Sequence, residues 1–189
     1  MIVLVSTALF PGIVEELIFR GIIYSDMRKA NPIKGILLSS LFFGIAHMNF
    51  LQFCYAFVLG IILGVLLEAA DSLFAPMLLH AAFNGTSLIL TYLMTLFPSI
   101  SDTAAAGTDI HLTTLIAFLP SAIVSLILTI LLIAAIAHLN GRLGYMKTWF
   151  SSRIRKTWPK EKAASISYFA AVGICFFFAV FTELLASIA

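Results

Sequence analysis

The stretch IVLVSTALFPGIVEELIFRGIIY, residues 2–24, decides the fold. It is long enough to cross about 30 Å of hydrocarbon as one α-helix, which takes roughly 20 residues. Yet it carries three charged side chains: Glu15, Glu16 and Arg20. Five more apolar segments follow, at 33–50, 53–70, 73–97, 112–139 and 167–189. None shows the strict alternation of a barrel strand, and an open chain in lipid must satisfy its own backbone hydrogen bonds, so helices are expected throughout and strands nowhere.

The whole chain agrees with its first segment. Of 189 residues, 61% are hydrophobic and only 11% charged, with a mean hydropathy of +1.08. Soluble domains hold about 45–50% apolar and 25% charged residues. The expectation is an all-α, polytopic transmembrane bundle of about six spans. It forms a single membrane-embedded domain, 1–189, with a motif-bearing core at 1–97 and extra spans at 112–139 and 167–189. No internal repeat is visible. The start of the chain has neither a basic n-region nor a small-residue cleavage site, so it does not read as a signal peptide.

A net charge of +2 without a basic face interleaved with aromatics sets nucleic-acid binding aside. Cys54 and Cys175 lie in apolar runs without metal-knuckle spacing and read as small hydrophobes. No feature sets an oligomeric state.

Lys and Arg give the orientation. Arg20, Arg28, Lys29 and Lys34 flank the first connection, and Arg142, Lys147, Arg153, Arg155, Lys156, Lys160 and Lys162 fill the fifth, which accounts for all 11. Six alternating crossings put both connections on one side. The positive-inside rule makes that side cytoplasmic, most simply at the plasma membrane, with Met1 and Ala189 outside. Trp149 and Trp158 suit a basic amphipathic stretch at the inner headgroup level, although an inside-loop signal alone accounts for the charge. Gly60 and Gly64 form a GxxxG that predicts a close helix contact. His111, His138 and Glu183 fall near span boundaries and read as interfacial.

The chemistry starts at Val14-Glu15-Glu16-Leu17-Ile18-Phe19-Arg20. A charge at mid-span costs about 2.5–3.5 kcal/mol on the insertion scale, so intramembrane carboxylates are usually functional. Glu16 and Arg20, at i and i+4, share a helix face, while Glu15 is turned about 100° away. Glu16 is therefore expected to pair with Arg20, leaving Glu15 for chemistry. The structural alternative is that both glutamates pair with Arg20 and merely hold the helix.

Two more i, i+4 pairs follow: Phe43 with His47, and His80 with Asn84. Glu15 is 14 residues from Lys29, His47 is 14 from Ile33, and Asn84 is 13 from Asp71. At 1.5 Å per residue these groups all lie about 20 Å along their helices from the basic side, with His80 one turn shallower. That depth permits convergence in one water-accessible cavity. A carboxylate and an imidazole can hold a water and take its proton. A second histidine with an asparagine can donate to the oxyanion of a tetrahedral intermediate. G-x-S-x-G, HExxH and paired intramembrane aspartates are all missing from the sequence.

The order Glu-Glu-x-x-x-Arg, Phe-x-x-x-His, His-x-x-x-Asn, running from Glu15 to Asn84, resembles the CPBP family, which groups type II CAAX prenyl proteases with bacteriocin-processing and Abi proteins. The resemblance implies an intramembrane endopeptidase acting on a peptide or protein substrate at the bilayer. Glu15 would be the general base, His47 its partner on the water, and His80 with Asn84 the oxyanion stabilisers. Glu16, Arg20 and Phe43 would support them. No cofactor is expected; a zinc ion held by Glu15, His47 and His80 is the less favoured alternative. The resemblance also implies spans upstream of the Glu-Glu motif. With Met1 only 14 residues from Glu15, the first helix is expected to expose one side to lipid. Two other classes compete: a non-catalytic membrane protein for bacteriocin immunity or peptide binding, and a proton- or cation-relaying transporter, which the lack of an inverted repeat disfavours.

Overall fold

The computed structural model describes residues 2–97, 112–159 and 163–188. Helices α1 (Ile2–Met27), α2 (Pro32–Ile45), α3 (Phe50–Ala70) and α4 (Phe74–Leu96) are followed by α5 (Leu112–Leu139), the short α6 (Leu143–Thr148) and α7 (Ser152–Arg155), and α8 (Ile166–Ile188). No strand occurs among the described residues. Five of these helices are long and apolar enough to cross a membrane, and the protein is an integral, multi-pass membrane protein.

Helix α1 is irregular where it carries charge. Its turns widen to i→i+5 bonding at Val5–Leu9 and again at Leu17–Tyr24, and Glu15 and Glu16 end the regular stretch between them. Pro11 lacks a donor and crowds the carbonyl four residues back, a disruption that the wide turns just before it take up. Ile2, Phe10 and Ile22 on α1 are exposed.

Small residues set the spacing of the bundle. A Cβ on Gly12 would lie 2.8 Å from the Ala81 backbone nitrogen, so glycine lets α1 and α4 touch. Gly60 faces Ser40 and Gly64 faces Ile36 in the same manner, which is the close contact that the GxxxG predicts, here between α3 and α2. Helix α5 packs on α3, and α8 on α2, where the Tyr168 hydroxyl donates to the Leu38 carbonyl at 2.7 Å. Both present apolar side chains outward, such as Leu128 and Phe177.

Two expectations need correction. The second segment, expected to run to residue 50, ends as a helix at Ile45, because Met48 adopts a left-handed φ of 54° and the Asn49 side chain caps α3 by accepting from the Gln52 amide at 2.9 Å. Trp149 is not a headgroup anchor. Its ring is buried with Tyr24, Ile36 and Leu67, so the fifth connection folds back onto the bundle. His138 and Glu183 are exposed, whereas His111 lies outside the described residues.

Candidate active site

Glu16, Arg20, Phe43 and His80 are buried together where α1, α2 and α4 meet. Arg20 Nη1 donates to Glu16 Oε1 at 2.9 Å, the ion pair expected from their spacing, and Arg20 Nη2 donates to the Gly60 carbonyl at 3.0 Å. The guanidinium also lies 4.5 Å from the centre of the Phe43 ring. An ion pair this dry is costly unless its remaining hydrogen-bonding capacity is met, and here Glu16 Oε2 and Arg20 Nε have no partner.

The same Glu16 Oε1 is 2.9 Å from His80 Nδ1. A carboxylate facing a guanidinium only accepts, so Nδ1 carries a proton and the ring turns Nε2 toward Glu15, 3.9 Å from its Oε2. Glu16 thus orients His80 as well as holding Arg20. That bond joins residues 64 positions apart, and i, i+4 reasoning within one helix does not reach it.

Glu15 makes no ion pair with Arg20, whose carboxylate partner is Glu16. Glu15 Oε2 is buried and has no hydrogen-bond partner, and 3.9 Å is too long for a direct bond to His80 yet suits a bridging water. His47 sits in the turn after α2, where Nδ1 donates to the Phe43 carbonyl at 2.7 Å and Nε2 is left as an acceptor. The Phe43 ring meets both imidazoles edge-on, at centroid distances of 4.9 Å to His47 and 5.6 Å to His80. Asn84 follows His80 by one turn of α4.

Glu15 of α1, His47 of the turn after α2, and His80 and Asn84 of α4 line one cavity of about 630 Å³. Its wall continues through Thr7 on α1, Gln52 on α3, and Ser87 and Thr91 on α4, all toward the helix ends remote from the basic connections. Sequence reasoning missed these four, although Ser87 and Thr91 follow Asn84 at helical spacing. A second, apolar cavity of about 1020 Å³ between α3, α4 and α5 shares Tyr55, Leu59 and Phe83 with the first.

A metal would need ligands on a common centre. Among the described residues no three His, Cys, Asp or Glu side chains gather that way. In this arrangement His80 turns Nδ1 to Glu16 and His47 turns Nδ1 to the Phe43 carbonyl.

A further buried carboxylate, Glu68, went unnoticed in the sequence although it too interrupts an apolar run. Tyr24 Oη donates to its Oε1 at 2.7 Å, Arg28 reaches it at 2.9 Å, and Arg142 Nη2 donates to Oε2 at 3.0 Å. Arg142 Nε also donates to the Glu68 carbonyl. Partial burial works to lower the Arg28 pKa, but the Glu68 carboxylate together with Tyr24 and Tyr145 outweighs it, and the pKa is raised. Glu68 lies at the basic end, clear of the cavity.

Residues 1–86, which contain all three motifs, match the family model described as type II CAAX prenyl endopeptidase Rce1-like. No curated protein and no solved structure matches the chain.

Proposed function

We propose that this chain, whose residues 1–86 match the family model of Rce1-like type II CAAX prenyl endopeptidases, hydrolyses a peptide bond within the membrane by attack of a water activated by Glu15 and His47. One observation carries the reading: the unpartnered, buried Glu15 Oε2 faces the His80 ring in a cavity shared with His47 and Asn84.

A water at Glu15 donates one hydrogen bond to the carboxylate and the other to His47 Nε2. As its oxygen bonds to the scissile carbonyl carbon, its proton passes to Glu15 and the carbonyl π electrons move to oxygen. The Asn84 carboxamide and, in its doubly protonated form, His80 Nε2–H donate to that oxyanion. Glu15 then returns the proton to the amide nitrogen as the C–N bond breaks, leaving an amine and a carboxylic acid. No step requires a metal.

The apolar cavity adjoining the polar one suits a hydrocarbon chain on the substrate, in keeping with the prenyl group in the family's description. With the basic connections placed in the cytoplasm of a plasma-membrane protein, the polar cavity extends toward the outer side.

The test is cleavage of quenched fluorescent peptides, with and without an isoprenoid thioether, by purified protein in liposomes. Wild type should turn over, unaffected by chelators, and Glu15→Gln should not. Full turnover by a folded Glu15→Gln protein overturns the proposed base. A chain that binds peptide without cleaving it would be the non-catalytic binder.

A further inference from the structure

On the basic side, the cations divide into two sets. Lys29 pairs with Asp26, Arg28 with Glu68, and Arg142 with Glu68 and Asp71. Lys34, Lys147, Arg153, Arg155 and Lys156 have no acidic partner among the described residues, and three of them, Lys34, Arg155 and Lys156, line one cavity of about 490 Å³. They come from separate elements: Lys34 from the first turn of α2, and Arg155 and Lys156 from the end of α7.

Three like charges around one hollow repel each other unless an anion joins them. All three are exposed, so an anion can reach them. The remaining wall includes Asn31, the cap of α2, and Trp158, whose half-buried ring packs on the Tyr24–Trp149 cluster. A tryptophan anchored in protein beside cations, at the level where α2 and α8 start, matches the headgroup layer. The start of α2 adds the positive end of a helix dipole.

We infer that this pocket is a binding site for a phosphate ester, presented as the headgroup of an anionic phospholipid. The phosphate would sit between Lys34, Arg155 and Lys156, with Trp158 against the glycerol backbone. Bound there, one lipid bridges the fifth connection to α2. This assignment is independent of the proteolytic reading, since none of these residues lines the polar cavity.

The full chain, purified in a neutral detergent, is titrated with phosphatidylglycerol or phosphatidylcholine, and bound lipid is counted by native mass spectrometry. One phosphatidylglycerol should bind saturably and phosphatidylcholine should not. The variant Lys34→Gln/Arg155→Gln/Lys156→Gln should bind it about 100-fold more weakly, at roughly one factor of five per cation near the surface. A control, Lys29→Gln/Lys147→Gln/Arg153→Gln, removes equal charge elsewhere and should bind within about threefold of wild type. Competition by glycerol phosphate would identify a soluble phosphate ester as the ligand, and failure to compete a lipid. Equal losses in both triple variants would overturn the site in favour of diffuse attraction. So would unchanged binding in the pocket variant, provided its circular dichroism and unfolding midpoint match wild type.

Discussion

Glu16 and Glu68 are both buried carboxylates bound to arginine, and they differ in how completely they are satisfied. Both Glu68 oxygens are occupied, by Tyr24, Arg28 and Arg142, and the network ties α1, α3 and the segment after α5 together. At Glu16, Oε1 takes two donors while Oε2 takes none, and Arg20 Nε and Glu15 Oε2 are likewise without partners. A buried polar group left open costs about 1–3 kcal/mol, so a cluster of them persists where something else completes it. The saturated network is a joint. The open one borders the cavity, as the proposed water and substrate site would require.

The largest effect that would sharpen this contrast is Glu15→Gln. Losing a general base should lower turnover about 10²- to 10⁴-fold while the unfolding midpoint stays put, as measured by peptide cleavage alongside a thermal melt. Undiminished cleavage would erase the distinction. Next, Glu16→Gln should destabilise the protein by about 3–5 kcal/mol in reversible detergent unfolding, because it strands a buried Arg20, and should cut turnover by freeing the His80 ring.

Glu68→Gln should cost less, about 1–3 kcal/mol, since Arg28 and Arg142 are partly exposed and can turn to water. Cleavage per folded molecule should hold near wild type; a collapse of activity there would show that the joint and the site are one unit. Gly12→Ala should cost about 1–3 kcal/mol by overpacking α1 against α4, and its crystal structure should show a longer Glu16–His80 distance. The smallest effect, about 1 kcal/mol, is expected for Asn49→Ala, which removes the α3 cap beside His47.

Much of this was legible in the chain itself. Apolar runs of span length gave the helices, and i, i+4 spacing gave the Glu16–Arg20 pair. Equal depth, counted from the basic connections, anticipated the gathering of Glu15, His47, His80 and Asn84. What escaped depends on packing between distant segments. Glu68 finds its arginines 40 and 74 residues away, and His80 reaches Glu16 across 64. Trp149 reads as a membrane anchor until the connection that carries it is seen to fold inward. Nor does depth along a helix say toward which end a cavity extends.

The shortness of α2 has a consequence for the bilayer. Its 14 residues rise only about 21 Å, against roughly 30 Å of hydrocarbon, and it ends beside His47. Lipids around that end must thin, tilt or admit headgroups. Under the proposed mechanism, a local aqueous boundary drawn down toward the imidazole would make acyl-chain length a control on how readily water and a polar peptide arrive there.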